Sequence, residues 1–323
     1  MDDPQALYRA PLWLPGGNLQ TLYPALLARR PRVSYHRVRW DTPDGDFIDL
    51  DWTATPATPA PLIVLFHGLE GSSDSHYARA LMHAVIHRGW QGVVVHFRGC
   101  SGELNRLPRA YHSGDSAEID WVLRRLRLQQ TAAPLYATGV SLGGNALLKW
   151  LGEQGPAARD IVARAAAISA PIDLAAAGGA LERGFNMVYT KNFLATMIRK
   201  SLQKLHRHPG LFDSHRVRAA RTLREFDDLV TAPLHGFRDV DDYWLRASSK
   251  PWLDRIAVPT LLLNARNDPF LPAAALPTAD EVSSAVTALR PDEGGHVGFM
   301  TGTFPGHLDW MPRTTLGFLS AET

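Results

Sequence analysis

The order of apolar and polar positions divides the chain near residue 62. Upstream, residues 33–40 and 47–52 alternate apolar with polar side chains on either side of Asp44-Gly45-Asp46, the pattern of a half-exposed β-hairpin closed by a tight turn. A Thr-, Ala- and Pro-rich run over 53–61 follows and reads as a surface connection. Downstream the pattern changes. Leu62-Ile63-Val64-Leu65-Phe66 is apolar without a break, as expected of a parallel strand covered on both faces. Beyond the turn His67-Gly68-Leu69-Glu70-Gly71, the apolar residues Tyr77, Ala80, Leu81, Ala84 and Val85 return at helical spacing, and Gly89 ends that helix.

The unit repeats. Residues 92–97 form a strand, Arg98-Gly99-Cys100-Ser101-Gly102 a turn, and Ile119, Val122, Leu123 and Leu126 one face of a helix whose other face carries Arg124, Arg125 and Arg127. A third strand over 135–138 leads into a helix over 144–151, and 162–169 is a fourth strand. After a long interruption come strands at 260–264 and 285–289 and a closing amphipathic helix through Trp310, Thr314 and Phe318. This alternation predicts the α/β class: one domain over 1–323 with a mostly parallel, doubly wound sheet, right-handed crossovers and ligands at the carboxyl edge.

Two segments stand outside the rhythm. Residues 1–31 form an irregular lead, Pro- and Gly-containing from Pro11 to Leu22, with a short helical piece; an N-terminal arm packed over the core is expected, in preference to one that closes a pocket or touches lipid. The interruption, about 173–250, is too long for a loop. Phe193, Leu194, Met197, Ile198, Ser201, Leu202 and Leu205 give it helical periodicity, which predicts a helical cap over the carboxyl edge. Its basic residues Lys191, Arg199, Lys200, Lys204 and Arg207 read as a solvated face, with weak contact to an anionic membrane surface as the alternative.

Charge and cysteine usage exclude several classes. The 323 residues carry 34 Lys and Arg against 32 Asp and Glu, so no net field gathers nucleic acid. The single cysteine, Cys100, leaves no intrachain disulfide and suits a reducing compartment. Met1-Asp2-Asp3-Pro4-Gln5 is acidic where a signal peptide is basic, and the apolar runs break well short of the roughly 20 residues of a spanning helix. A cytoplasmic protein without a transmembrane segment is expected. No His-Glu-x-x-His, Cys pair, Gly-x-Gly-x-x-Gly or Walker loop occurs, so no metal and no cofactor are expected.

The chemistry centres on Gly139-Val140-Ser141-Leu142-Gly143, set between the third strand and its helix. A sharp strand-to-helix turn of this kind lifts a serine hydroxyl clear of the sheet and aims a helix N-terminus at its target. Side chains two residues to either side would collide in so tight a turn, which accounts for both glycines. A serine hydroxyl needs a base to take its proton and an acid to orient that base. The order Ser, Asp or Glu, His selects two later turns. Asp268 follows a strand in Asn264-Ala265-Arg266-Asn267-Asp268-Pro269, and His296 sits in the glycine-flanked loop Gly294-Gly295-His296-Val297-Gly298.

With 13 histidines in the chain, position has to decide. His67 and His307 are the alternatives to His296, and Asp173 and Asp292 those to Asp268. Two fixed N–H groups are needed for the developing oxyanion: the Leu142 amide at the turn and the Leu69 amide after the first buried strand. Cys100 and Ser101 end another strand but lack the turn spacing, and are expected to line a pocket instead.

Taken jointly, several motifs resemble the YheT-like branch of the α/β-hydrolases, esterase-type proteins related to the eukaryotic ABHD phospholipases. They are Leu14-Pro15-Gly16-Gly17-Asn18-Leu19-Gln20-Thr21-Leu22, Phe66 to Gly71, Phe97 to Glu103, Tyr111-His112-Ser113-Gly114, Gly139 to Asn145, Asn264 to Phe270 and Gly294 to Phe299. The resemblance implies an α/β-hydrolase sheet with a helical cap and a triad of Ser141, Asp268 and His296. It further implies hydrolysis of carboxylic esters, with short or medium acyl chains. Phospholipase, thioesterase or acyltransferase action by the same three residues is the rival reading, and a binding protein on a hydrolase scaffold is another.

Overall fold

The structure, a computed structural model, describes residues 8–56, 59–130 and 132–321. The acidic N-terminus, the first seven residues of the lead and the middle of the 53–61 connection lie outside the described residues. Eight strands occur among the described residues: β1 (His36–Asp41), β2 (Phe47–Trp52), β3 (Leu62–Phe66), β4 (Gln91–His96), β5 (Leu135–Val140), β6 (Arg164–Ile168), β7 (Thr260–Leu263) and β8 (Val286–Leu289). They form one sheet in the order β1-β2-β4-β3-β5-β6-β7-β8. β2 runs antiparallel to both neighbours, and the remaining pairs are parallel.

The central parallel strands are buried and largely apolar because helices cover both faces. The helices of the first part are α1 (Gly17–Leu26), α2 (His76–His87), α3 (Ser116–Gln129) and α4 (Leu142–Gln154). Leu62, Val64 and Phe66 of β3 pack with Ile119, Val122 and Leu126 of α3 and Leu147 and Trp150 of α4. Ile63 and Leu65 point the other way, into a core with Tyr77, Leu81 and Val85 of α2. The expected α/β sheet is therefore the one observed.

Between β6 and β7 the chain leaves the sheet as α5 (Leu174–Leu181), α6 (Met187–Arg207), α7 (Ser214–Ala219), α8 (Leu223–Phe226), α9 (Ala232–Leu234) and α10 (Val240–Ala247). Side-chain caps start four of them: Asp173 at α5, Asp213 at α7, a Thr222–Glu225 capping box at α8 and Asp239 at α10. The last helix, α11 (Trp310–Leu319), packs on α2, with Met311, Leu316 and Leu319 buried while Trp310 and Phe318 stay half-buried. Of the three expected residues, Thr314 is buried and Trp310 and Phe318 pack half-buried against the core, so the expected face is the one turned inward.

Two polar patterns differ from the expectation. The hairpin is half-exposed only on its β1 side; β2 is buried at Asp49 and Asp51 as well. The register pairs Arg37 with Asp51 and Arg39 with Asp49. Each arginine holds its carboxylate with two hydrogen bonds, and His96 Nε2 and Ser73 Oγ add to Asp51 at 2.8 and 2.6 Å. Burial alone would raise the Asp51 pKa; the hydrogen bonds from Arg37, His96 and Ser73 outweigh it and hold the carboxyl well below its usual range.

The basic row on α6 is not a uniformly solvated face either. Lys200 turns inward to Glu70 at 2.8 Å, and buried Lys204 donates to Asn105 Oδ1, Leu107 O and Arg109 O at 2.7 to 3.0 Å. Burial lowers the Lys204 ammonium to about 8. Side chains long enough to reach backbone carbonyls under the helix can satisfy a charge there without facing water.

Candidate active site

β5 is longer than its apolar run, continuing through Gly139 and Val140. Ser141 follows with φ 51° and ψ −121°, and α4 begins at the next residue. A β-carbon at Gly139 would strike the Gly143 carbonyl, and one at Gly143 would strike the carbonyls of Phe66 and His67 at the end of β3. Glycine is needed at the second position because the turn presses on the neighbouring strand. The strained serine backbone is held by its own N–H, which donates to Ile168 O at 2.8 Å.

Asp268 lies just beyond β7, and His296 lies in a loop beyond β8 where Gly294, Gly295, Val297 and Phe299 all have positive φ. The structure brings the two loops together above Ser141. His296 Nδ1 is 2.9 Å from Asp268 Oδ2, and Nε2 is 2.9 Å from Ser141 Oγ. With the carboxylate accepting from Nδ1–H, the lone pair on Nε2 faces the serine hydroxyl. Asp268 Oδ1 accepts the Phe270 N–H at 2.8 Å, so both carboxylate oxygens are occupied. Phe270 also lies flat on the His296 ring.

The alternatives are engaged elsewhere. His67 is fully buried: Nδ1–H donates to Gly68 O at 2.7 Å and Nε2 accepts the Phe97 N–H at 3.1 Å. Burial, with the neighbouring His96, pushes its pKa down to about 3, so it is a neutral tie between two strand ends. His307 is at the surface beside Asp309. Asp173 accepts the Ala176 N–H at 3.0 Å as the cap of α5, and Asp292 is exposed near Arg266. Cys100 packs into the core with its thiol pushed up to about 12 by burial, and neither it nor Ser101 lines the cavities beside Ser141, contrary to expectation.

The two expected amides are set apart by their neighbours' bonds. Gly68 N–H donates to Tyr77 OH and Glu70 N–H to Tyr111 OH, both at 2.9 Å. Ser141 N–H goes to Ile168 O and Gly143 N–H to His67 O. Among the described residues, Leu69 and Leu142 are the ones left between them without a protein acceptor.

Ser141 stands between two spaces. On one side an open cleft of about 570 Å³ is lined by Leu22, Leu26, Val188, Tyr189, Phe270 and His296. On the other a chamber of about 100 Å³ is walled by Leu142, Leu174, Leu181, Met197, Trp244 and Asp227. The helices between β6 and β7 supply most of that wall. Asn145 fastens them to α4: its side chain donates to Ser113 O and Ala247 O at 2.8 Å and accepts the Ser249 N–H at 2.9 Å.

Sequence reasoning did not find Phe270, Gln20, Thr21 or Asn267, all of which touch the loops of Asp268 or His296. Their motifs, Leu14 to Leu22 and Asn264 to Phe270, were visible, but nothing local shows what they bond.

Residues 61–303 match the family described as alpha/beta hydrolase fold. The chain is 42% identical over 299 residues to YheT of Escherichia coli (strain K12), named as a candidate esterase, covering 91% of this chain and 87% of that one. It is 32% identical over 325 residues to phospholipase ABHD3 of Homo sapiens, covering 97% and 78%. The Pyrococcus furiosus esterase Pf2001 superposes with a TM-score of 0.56 over 89% of this chain and 90% of that one at 15% identity, a likeness of fold. No helix among the described residues is long and apolar enough to cross a membrane.

Proposed function

The chain belongs to the α/β-hydrolase family, and from that premise we propose that it is a serine esterase, cleaving carboxylic esters of short to medium acyl chain through a triad of Ser141, His296 and Asp268. The reading is carried by the two 2.9 Å hydrogen bonds that run without a break from Asp268 through His296 to Ser141. His296 Nε2 takes the hydroxyl proton as Ser141 Oγ attacks the ester carbonyl. Asp268 keeps the imidazole in the right tautomer and favours its charged form. The amides of Leu69 and Leu142 receive the oxyanion. Collapse of the tetrahedral intermediate breaks the bond to the alcohol, which leaves with the proton from Nε2. Water, deprotonated by the same nitrogen, then attacks the acyl-enzyme and restores the serine.

We place the acyl chain in the smaller chamber and the alcohol in the wider cleft, because a space of about 100 Å³ limits chain length more tightly than one of about 570 Å³. The single cysteine suits the cytoplasm.

Ser141→Ala tests the reading directly. It is expected to abolish hydrolysis of an activated aryl ester and labelling by a fluorophosphonate; near-normal turnover in that variant would refute the assignment. One observation favours a second reading, lipid esters: Leu26 and Val188 at the mouth of the cleft are 70% and 52% exposed. Turnover of phospholipid vesicles faster than of soluble short-chain esters would decide for it.

A further inference from the structure

The lead segment supplies none of the reacting groups above, yet it carries a buried polar side chain with four hydrogen bonds near the site. Gln20 is fully buried. Its side-chain oxygen accepts from Asn267 Nδ2 at 2.9 Å and from the Gly294 N–H at 2.8 Å, while Nε2 donates to Leu14 O at 2.9 Å and Glu293 Oε1 at 3.2 Å. Asn267 Oδ1 in turn accepts the Gly295 N–H at 2.9 Å. Thr21 Oγ1 accepts the His296 N–H at 2.9 Å and donates to Gly17 O at 2.7 Å. Three consecutive amides of the histidine loop, 294 to 296, are thus each held by a different side chain, two from α1 and one from the residue next to Asp268.

The backbones meet as closely as the side chains. A β-carbon on Gly17 would strike the Asn267 carbonyl, and one on Gly298 would strike the Gln20 carbonyl. On Gly295 it would come 2.7 Å from Gly17 O and 2.8 Å from Thr21 Oγ1. The loop needs such support, since its run of positive φ angles persists only where the surroundings over-determine it.

We infer that Gln20 and Thr21 are positioning residues: α1 clamps the loop of His296 to the loop of Asp268, and the clamp sets the imidazole in line with both Ser141 and the carboxylate. The inference rests on the triad reading. The hydrogen bonds at His296 Nδ1 and Nε2 fix the ring only relative to its two partners; the clamp fixes where the ring begins.

Thr21→Val keeps the shape and removes the acceptor. It is expected to lower kcat about 10- to 100-fold, the cost of a misplaced catalytic group, with KM changed little. Amides 294 to 296 are expected to exchange hydrogen faster while the melting temperature stays close to that of the parent. Thr21→Ser, which keeps the hydroxyl, is expected to restore both readouts. Parent-like kcat in Thr21→Val, unchanged exchange at 294 to 296, or failure of serine to restore them overturns the clamp. A parent protein that refuses the fluorophosphonate sinks the esterase reading instead, and the exchange measurement still judges the clamp.

Discussion

The Phe270 ring stacks on the His296 imidazole with centroids 4.0 Å apart and planes 18° apart. The same ring meets Tyr189 and Phe193 of α6 edge-on, at 4.9 and 5.9 Å. One aromatic side chain therefore joins the candidate base to the helical insertion. It shields one face of the imidazole from water and restricts the tilt of the ring about its two hydrogen bonds.

Phe270→Leu is expected to lower kcat on a soluble ester about 2- to 10-fold, the equivalent of an aromatic pair worth about 0.5–1.5 kcal/mol. Leucine keeps most of the apolar volume, so unfolding free energy should fall by less than about 1.5 kcal/mol. Steady-state kinetics beside urea denaturation separates the two effects. A variant with parent-like kcat would show that the stacking serves packing alone.

Asp268 and Asp173 both follow strands, and their partners predict opposite results. Asp268→Asn retains the size but presents an amide to Nδ1, allowing the wrong imidazole tautomer; kcat should fall about 10⁴-fold, as when the acid of a serine protease triad is so replaced. Asp173→Ala removes only the cap of α5 and should cost about 0.5–2 kcal/mol of stability with activity kept. Aryl-ester turnover and thermal melting of the two variants check both outcomes; loss of turnover in Asp173→Ala would reassign the acid.

What was legible in the sequence follows from how local its causes are. β3 to β6 could be read because a strand covered on both faces has to be apolar, and the serine turn because its glycines answer a steric conflict over a few residues. Asp268 and His296 were reachable through chain order, which needs no contact map. β2 was misread because Asp49 and Asp51 look like solvent positions until Arg39 and Arg37 are placed opposite them. Lys204 was misread because its acceptors include backbone carbonyls nearly 100 residues away, which no side-chain pattern announces. The bonds of Gln20 span 247 and 274 residues, so its motif was visible while its purpose was not.

Gly68 bears on the proposed oxyanion site from behind. A β-carbon there would lie 3.1 Å from Ser141 Cβ and 3.5 Å from Tyr77 OH, closer to the serine than packing normally allows. Gly68→Ala should push the Leu69 amide and the nucleophile apart. The expected loss in kcat approaches 10²- to 10³-fold, that of one oxyanion donor, with a melting temperature within a few degrees of the parent. Unchanged kcat would exclude the Leu69 amide from the oxyanion site.

Asp227 lines the chamber beside Ser141, accepting from Thr231 Oγ1 at 2.6 Å and Trp244 Nε1 at 2.9 Å. Burial raises its carboxyl from 3.8 to about 6, more than those two hydrogen bonds lower it. The folded protein accordingly binds a proton that the unfolded chain has already released between about pH 4 and pH 6. Its contribution is full below pH 4 and is lost as pH rises through 6. Asp227→Asn removes this titration, and its amide still serves both partners, accepting from Trp244 and donating to the Thr231 hydroxyl. The unfolding free energy of Asp227→Asn relative to the parent should therefore climb from pH 4 to pH 6 and level off above it. Urea denaturation at four pH values across that window measures the difference; a flat line would mean that Asp227 keeps its ordinary acidity and meets water in the chamber.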